Sequence, residues 1–113
     1  MSEMLTMEAF EQASEIVKEV TADTSLVYSE YFSQQTGNRV YLKPENMQLT
    51  GSFKLRGAYV KTNSLTEEEA AKGVIACSAG NHAQGVALSA QKKGIKATIC
   101  MPAGAPLAKV EAT

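Results

Sequence analysis

The spacing of apolar residues predicts an amphipathic helix near the beginning of the chain, from Thr6 to Val20. Four apolar residues recur within it at intervals of three or four positions: Phe10, Ala13, Val17 and Val20. This spacing places them on one face of a helix, with the glutamates mainly on the other faces. Residues 21–25 are polar and predict a loop. The segment 26–32 fits a short strand or a helical turn, so its structure stays open.

The next part of the chain predicts a strand, a loop and a second helix. Thr36-Gly37-Asn38 is a turn signal, and it leads into a strand, Arg39–Lys43, that Pro44 ends. After the loop Glu45–Gly51, a helix is expected from Ser52 to about Asn63, with Ser52 as its N-cap.

A short capped helix and a buried strand follow. The sequence Leu65–Ala70 has the pattern of a capping box, in which Thr66 is the N-cap and Glu69 reaches back to it. This helix is expected to end at Gly73. The residues Val74–Cys77 are apolar without alternation, which is typical of a strand that is buried on both faces.

The last part of the chain repeats the alternation of helix and strand. Ser78-Ala79-Gly80 turns the chain into a helix that is expected from Asn81 to Lys93. The residues Ala97–Met101 predict a further strand, which Pro102 closes. The residues Pro106–Thr113 predict the opening of another helix.

The order strand, helix, strand, helix, strand predicts an α/β fold with a parallel sheet and right-handed crossovers. Its three strands would be residues 39–43, 74–77 and 97–101. Ligands bind at the carboxyl ends of such strands, so the loop before Lys54 and the loop 78–81 are expected to face one crevice. Because parallel sheets are covered on both faces, the chain is expected to be the N-terminal piece of something larger.

Composition and charge narrow the class of protein. The chain has 113 residues, of which 44% are hydrophobic and 20% are charged, and its formal net charge is -1. These values are ordinary for one globular domain and give no electrostatic reason to expect nucleic acid or a membrane as a partner. There is no apolar run that could span a bilayer and no secretory signal, so a cytoplasmic protein is expected. Cys77 and Cys100 each end a short apolar run, which predicts two reduced, buried thiols, and no metal site is expected.

The first candidate for chemistry is Lys54. It lies in the first turn of the helix that follows Gly51 and Ser52, where the end of the helix carries partial positive charge. This position slightly disfavours the charged ammonium and favours the neutral, nucleophilic amine that Schiff-base chemistry requires. One turn further on, Gly57 and Ala58 have side chains too small to crowd a group attached to the amine.

The second candidate is the loop and helix start at Ser78–Gly85. The backbone N–H groups at a helix start can hold an anion, and Ser78 and Asn81 add side chains that form hydrogen bonds. A glycine in mid-helix, Gly85, costs about 1 kcal/mol against alanine, which suggests the close approach of another backbone or a ligand. Taken alone, this stretch favours an ordinary N-capped helix packed tightly on a sheet, with His82 as a surface or satisfied polar residue.

The two motifs together closely resemble those of threonine/serine dehydratases. The matching stretches are Ser52–Ala58 and Ser78–Gly85, with Lys43–Gln48, Met101–Pro102, Gly104–Pro106, Lys109 and Ala112–Thr113. These dehydratases are pyridoxal-phosphate (PLP) enzymes of fold type II, related to tryptophan synthase β, and the chain is most similar to catabolic-type threonine ammonia-lyase. The likeness runs from about Tyr28 to the end. It implies a parallel three-layer αβα sheet, incomplete in this chain, with residues 1–113 as the N-terminal portion of the PLP-dependent catalytic domain.

The resemblance also implies roles for individual residues. Lys54 would bind PLP through a Schiff base and act as the catalytic residue, Phe53 would pack against the cofactor ring, and Asn81 would hydrogen-bond its 3′-hydroxyl. The substrate-binding residues would be Ser78, Ala79, Gly80, Asn81 and His82. Ser78, Asn81 and the loop N–H groups would receive the substrate carboxylate. In the family's mechanism the freed amine of Lys54 removes the α-proton, the β-hydroxyl leaves, and the product hydrolyses to 2-oxobutanoate and ammonia.

Ala79 bears on the choice between reactions. Serine racemases of this family carry a serine there, which serves as a second acid/base on the opposite face of the substrate. Alanine has no proton to give, so Ala79 points to elimination. A serine racemase or a threonine synthase remains the alternative within fold type II. A truncated α/β module that binds an anion or a partner subunit without chemistry is the alternative outside enzymes.

The resemblance implies further properties of the whole protein. Its substrate would be a small amino acid, L-threonine or L-serine, in amino-acid degradation or isoleucine precursor supply. The full-length protein would be a homo-oligomer, a dimer or a tetramer. The family's glycine-rich phosphate loop and its partner for the pyridine nitrogen lie beyond Thr113. Arg56 is expected to be a solvated or ion-paired helix residue.

Overall fold

Short helices surround two separate two-stranded sheets in the described part of the chain, residues 5–113. The computed structural model gives these elements in chain order: α1 Met7–Val17, β1 Val27–Tyr28, α2 Glu30–Thr36, β2 Tyr41–Leu42, a 3-10 helix Glu45–Met47, α3 Lys54–Asn63, α4 Glu67–Lys72, β3 Val74–Cys77, α5 Asn81–Lys93, β4 Ala97–Cys100 and α6 Leu107–Glu111.

The first helix is confirmed, with a shorter extent than predicted. Thr6 is its N-cap, because the hydroxyl of Thr6 accepts a hydrogen bond from the Ala9 N–H at 3.2 Å. The helix ends at Val17, and a turn carries the chain on to Val20. Val17 and Val20 are buried, whereas Phe10 is 56% exposed. The predicted apolar face is therefore buried only at its C-terminal end.

The ambiguous segment 26–32 contains a strand and the start of a helix. β1 is followed directly by α2, whose N-cap is Ser29. β1 pairs with β2 in antiparallel register, and the Ser29 N–H extends the ladder by donating to the Val40 carbonyl at 2.9 Å. The expected three-stranded parallel sheet is therefore wrong in one strand, because β2 is paired with β1 in a sheet of its own.

The parallel pair at the centre of the prediction is confirmed. β3 and β4 are parallel, with Val74 opposite Ala97 and Cys77 opposite Cys100, and α5 connects them. The expected burial on both faces is wrong, because alternate residues of β3 are exposed and Ile75 is 74% exposed. The prediction of two buried thiols is wrong for the same reason, since Cys77 and Cys100 lie on exposed positions of this sheet and are free.

The core is the contact between α3 and α5. Leu55 is fully buried on α3 and forms a cluster with Tyr59 and Val20. The buried residues of α5 are all of small or moderate size: Ala83, Gln84, Gly85, Ser89 and Ala90. Small side chains let two helices approach closely, so α5 brings its own backbone near to that of α3.

At Gly85 this approach leaves little space for a side chain. A Cβ atom at Gly85 would lie 3.2 Å from the carbonyl carbon and oxygen of Lys54 and 3.3 Å from the Leu55 nitrogen. The prediction that a mid-helix glycine marks the approach of another backbone is confirmed. The candidate lysine is therefore held by direct backbone contact with α5.

The capping box and the helix ends follow the sequence closely. The Glu69 N–H donates to the Thr66 hydroxyl at 3.2 Å, and the Thr66 N–H donates to the Glu69 carboxylate at 2.9 Å. Gly73 ends α4, and Gly94 ends α5 in the left-handed conformation with φ 65°. The sequence predicts these helix ends correctly because all the partners lie within a few residues of one another.

Glu45 anchors α3 to the segments before it. Arg56 donates to both carboxylate oxygens of Glu45, from Nε at 2.8 Å and from Nη2 at 2.9 Å, and the Thr24 hydroxyl donates at 2.6 Å. The expectation that Arg56 is ion-paired is confirmed. The hydrogen bonds from Arg56, with those from Thr24 and Gln48, lower the pKa of the Glu45 carboxyl from 4.5 to about 2.

Replacing Glu45 by Gln is expected to lower the free energy of unfolding at neutral pH by about 2 kcal/mol, because a charge-assisted bidentate pair is lost. Since the pKa is lowered in the folded state, this stabilisation is present above pH 4.5 and is lost as the pH falls towards 2. Urea unfolding at pH values between 7 and 3 measures this effect. The difference in the free energy of unfolding between the unchanged protein and Glu45→Gln should become smaller as the pH falls.

Glu68→Gln is the matched control. Glu68 pairs with Lys72 at 2.8 Å, but both side chains are mostly exposed, so its replacement should cost less than about 0.5 kcal/mol. Equal effects of the two substitutions at pH 7, or a gap for Glu45→Gln that stays constant with pH, would contradict the assignment.

Candidate active site

Lys54 is the first residue of α3. The N-cap position belongs to Phe53, so the predicted N-cap at Ser52 is wrong by one residue. The chain makes a turn just before, closed by the Gly51 N–H and the Gln48 carbonyl at 2.7 Å, and this delays the start of the helix. Ser52 is buried, and its hydroxyl still accepts the Lys54 N–H at 3.4 Å. The amine is therefore carried at the positive end of the helix, as the sequence predicts.

The side chain of Lys54 is exposed and lies beside an aromatic ring. Its Nζ is 4.8 Å from the centre of the Phe53 ring, within the range of a cation–π contact. Phe53 is itself 57% exposed. The amine and the ring are neighbours on one open surface, where a molecule from solution can reach both.

Lys54 and Phe53 lie at one side of a groove of about 540 Å³. Gly57 and Ala58 continue this wall, and His82 from α5 also lines the groove. A Cβ atom at Gly57 would meet no other atom within 4 Å, so the glycine leaves free space beside the lysine. The walls are mainly apolar, with β3 contributing residues 74–76. The groove can hold a flat apolar group within reach of an amine and an imidazole.

The loop that carries the predicted substrate-binding residues connects β3 to α5. The Ser78 N–H donates to the Cys100 carbonyl at 3.0 Å, and the Ser78 hydroxyl accepts the Gly80 N–H at 3.3 Å. Gly80 is at the N-cap position, where no side chain within residues 5–113 caps the helix. The first N–H groups of α5 are thus left for another acceptor, as at known anion sites.

The predicted site residues fall into two groups. Phe53, Lys54 and His82 line the same groove. Ser78, Ala79, Gly80 and Asn81 do not line it, and they form the loop between the groove residues Ala76 and His82. The contact of Gly85 with Lys54 lies about one helical turn beyond Asn81, which brings the loop and the lysine to the same end of α5.

A contact to Asn81 that the sequence does not predict comes from Lys109. Its Nζ donates to the Asn81 Oδ1 at 2.9 Å and to the Gln84 Oε1 at 3.1 Å. Lys109 belongs to the matching motif, but motif likeness assigns it no partner, and 28 residues separate it from Asn81. Contacts of that kind have no local signal in a sequence.

Among residues 5–113, no group of three or more histidine, cysteine, aspartate or glutamate side chains is arranged to hold a metal ion. Within the same range, no helix has both the length and the apolar character needed to cross a membrane.

The parallel β3–α5–β4 unit, with a lysine in the groove beside it, places the chain among α/β proteins. The family model described as pyridoxal-phosphate dependent enzyme matches residues 17–113, and the chain therefore belongs to this family. Within the family its fold is fold type II, which is also the fold of the serine racemase and threonine deaminase structures it resembles.

Individual relatives show which members of the family the chain resembles. The L-threonine ammonia-lyase of Thermotoga maritima is 56% identical over 110 residues, which are 97% of this chain and 27% of that protein. Threonine deaminase isoform 2 from Solanum lycopersicum has 42% identity and a TM-score of 0.80, covering 96% of this chain and 31% of that one. Maize serine racemase has 35% identity and a TM-score of 0.87, covering 94% and 32%. The chain thus spans 27% to 32% of the length of these proteins.

The residues of the groove fit PLP. The cofactor is a flat pyridine ring that carries an aldehyde. The Lys54 amine can react with the aldehyde, and the exposed Phe53 ring beside it can pack against the pyridine ring. The open space at Gly57 and the apolar walls leave room for the ring. Lys54 and Phe53 would hold it from this chain.

Proposed function

We propose that the protein carrying this chain eliminates water from L-threonine and L-serine and releases 2-oxobutanoate or pyruvate together with ammonia. The observation that carries the proposal is the groove that joins Lys54, Phe53 and His82, in a chain 56% identical to the L-threonine ammonia-lyase of Thermotoga maritima. Residues 1–113 would form the N-terminal portion of the PLP-dependent catalytic domain.

Lys54 is the proposed catalytic residue. When bound, PLP supplies the conjugated ring that takes up the electron pair left after the α-proton is removed. The Nζ of Lys54 would hold the cofactor and would also accept the α-proton of the substrate. The backbone contact with Gly85 fixes the position from which the side chain extends. Proton transfer depends on such positioning, because the base must come within hydrogen-bond distance of the proton.

The remaining site residues would bind and orient. Phe53 would pack against the ring of the cofactor, and Asn81 would donate to its 3′-hydroxyl oxygen. The substrate would be bound by the loop and the start of α5: Ser78, Ala79, Gly80, Asn81 and His82. The uncapped N–H groups of α5 support this assignment, since a carboxylate is the kind of group that a helix N-terminus stabilises.

Racemisation of serine is the second candidate, favoured by the TM-score of 0.87 with maize serine racemase. Ala79 argues against it. Racemisation needs an acid/base on each face of the substrate, and the methyl group of Ala79 has no proton to exchange. Elimination removes the α-proton from one face only, where Lys54 supplies the base, and the departing hydroxide takes up a proton to leave as water. It needs no acid/base at Ala79, so it is the reaction that Ala79 favours.

The substrate class, the assembly and the location of the enzyme follow from the same proposed function. The substrate is a small amino acid, and the enzyme is a cytoplasmic homo-oligomer, a dimer or a tetramer, of the full-length protein. Its reaction would serve amino-acid degradation or the supply of an isoleucine precursor. A formal net charge of -1 fits a small-molecule substrate better than a nucleic acid.

Borohydride reduction followed by peptide mass spectrometry tests the binding step. The protein is incubated with PLP, reduced and digested, and the peptide containing Lys54 should gain the mass of the reduced cofactor. Lys61, which lines the same groove, is the internal control. Labelling of Lys61 in place of Lys54 would overturn the assignment of the lysine.

Product analysis tests the reaction itself. We expect 2-oxobutanoate from L-threonine and pyruvate from L-serine. D-serine as the main product from L-serine would favour a racemase, and threonine from phosphohomoserine would favour a threonine synthase. A protein that neither binds PLP nor turns over these substrates would favour the non-catalytic module.

A further inference from the structure

Lys109 connects α6 to the beginning of α5. Its Nζ lies 2.9 Å from the Asn81 Oδ1 and 3.1 Å from the Gln84 Oε1. Gln84 is buried and Lys109 is half-buried. Within residues 5–113, Lys109 has no carboxylate partner. Its positive charge is therefore directed at two uncharged carboxamide groups.

Parallel strands explain how these residues meet. Asn81 follows the loop at the carboxyl end of β3, and Lys109 follows the loop at the carboxyl end of β4. Because β3 and β4 are adjacent and parallel, both loops leave the sheet at the same edge. The Lys109 N–H donates to the Pro106 carbonyl at 2.9 Å, and the Thr113 hydroxyl donates to the Lys109 carbonyl at 2.7 Å, which fixes the backbone of Lys109.

The contact fixes the orientation of the Asn81 carboxamide. An ammonium group only donates hydrogen bonds, so the oxygen of each carboxamide must face it. The Nδ2 group of Asn81, which only donates, then points away from Lys109. The oxygen and the NH₂ group of a carboxamide have nearly the same shape, so shape alone does not select one orientation. Without the ammonium, the Asn81 carboxamide can rotate by half a turn and present its oxygen where the Nδ2 group was.

We propose that Lys109 is a positioning residue that presents the Asn81 Nδ2 as a donor to the cofactor. The inference rests on the proposed function, in which Asn81 donates to the 3′-hydroxyl oxygen of PLP. When that oxygen is ionised, or when its proton is shared with another group, it acts as an acceptor, and only the Nδ2 end of Asn81 can then donate to it. Lys109 itself contacts neither the cofactor nor the reacting atoms in this scheme and acts through Asn81.

PLP affinity measured by absorbance titration of the purified protein tests the role. Lys109→Met removes the charge and keeps the length, and it should raise the Kd for PLP about fivefold to tenfold, the loss expected for one well-aligned hydrogen bond. Lys109→Arg keeps the charge and the donors and should recover most of the affinity. Lys92→Met, on the exposed last turn of α5, is the matched control and should leave the Kd unchanged.

A double-mutant cycle separates positioning from general support of the fold. If Lys109 acts through Asn81, Lys109→Met should have almost no further effect on the Kd in an Asn81→Ala background. Effects of the two substitutions that multiply would overturn the proposal. Gln84→Met removes the other acceptor of Lys109; it should lower the melting temperature while changing the Kd less than about twofold, since the bond to Asn81 remains.

The outcomes also distinguish the two levels of inference. If the unchanged protein does not bind PLP, the proposed function and the positioning role both fall. If the unchanged protein binds PLP and Lys109→Met binds it equally tightly, only the positioning role is wrong. If Lys109→Met folds poorly, Lys109→Arg and Gln84→Met still test the positioning role. A loss of PLP affinity in Gln84→Met equal to that in Asn81→Ala would contradict it.

Discussion

Replacing Lys54 by Ala is expected to lower threonine-dependent 2-oxoacid formation by about 1,000-fold or more, within the range lost when a catalytic base is removed. The substitution removes both the amine that would hold PLP and the proposed acceptor of the α-proton. The substituted side chain is exposed, so the fold should be unaffected. The measurement is 2-oxobutanoate formation from L-threonine, together with the PLP absorbance near ~410–430 nm that a lysine-bound cofactor gives.

Lys61→Ala is the control for this experiment. Lys61 lines the same groove about two turns further along α3, and it is also exposed. Its loss removes an equal charge from the groove without touching the proposed chemistry, so activity should stay within about twofold. Activity retained in Lys54→Ala, or lost equally in both variants, would refute the role of Lys54.

Replacing Gly85 by Val is expected to lower the free energy of unfolding by about 2–3 kcal/mol, the upper part of the range for overpacking a core. The new Cβ would lie 3.2 Å from the Lys54 carbonyl carbon and oxygen, and both are backbone atoms that cannot rotate away. α3 must move, and Lys54 moves with it. Urea unfolding measures the first effect, and the Kd for PLP, which should rise, measures the second.

Ala87→Val is the matched control for Gly85→Val. Ala87 is two residues further on in α5, is only half-buried and lines a different groove. Valine costs about 0.5 kcal/mol in helix propensity against the alanine that it replaces there, whereas at position 85 it replaces the still less favourable glycine. Helix propensity therefore cannot explain a larger loss of stability in Gly85→Val. If the two variants were equally stable and bound PLP equally well, the backbone contact at Gly85 would have no energetic importance.

The parts of the fold that the sequence predicts correctly depend on neighbouring residues. The capping box of α4 and the extent of α5 are set by signals that lie close together in the chain, and the parallel pair of β3 and β4 follows from the order strand, helix, strand. The pairing of β2 is different. It is decided by β1, a two-residue strand whose sequence fits a helical turn as well, so local pattern leaves the choice of partner open.

The predicted burial of the strands is also wrong, and the cause of this error is non-local as well. A run of apolar residues shows that a strand is suited to burial, but the exposure of Ile75, Cys77 and Cys100 depends on which elements cover the sheet. The candidate site shows the same division. Lys54 and His82, which the motifs identify, line one groove. The hydrogen bond from Lys109 to Asn81 joins two separate elements, so only the three-dimensional structure reveals it.

The missing side chain at Gly85 has a consequence for how the lysine moves. In the proposed function, one amine both holds the cofactor and takes a proton, and it would have to change position during each cycle. Since the backbone of Lys54 is pressed against α5, that displacement has to come from rotation about the bonds of the side chain. Such rotations are fast compared with helix movements, so the reorientation of the amine need not limit the rate of turnover.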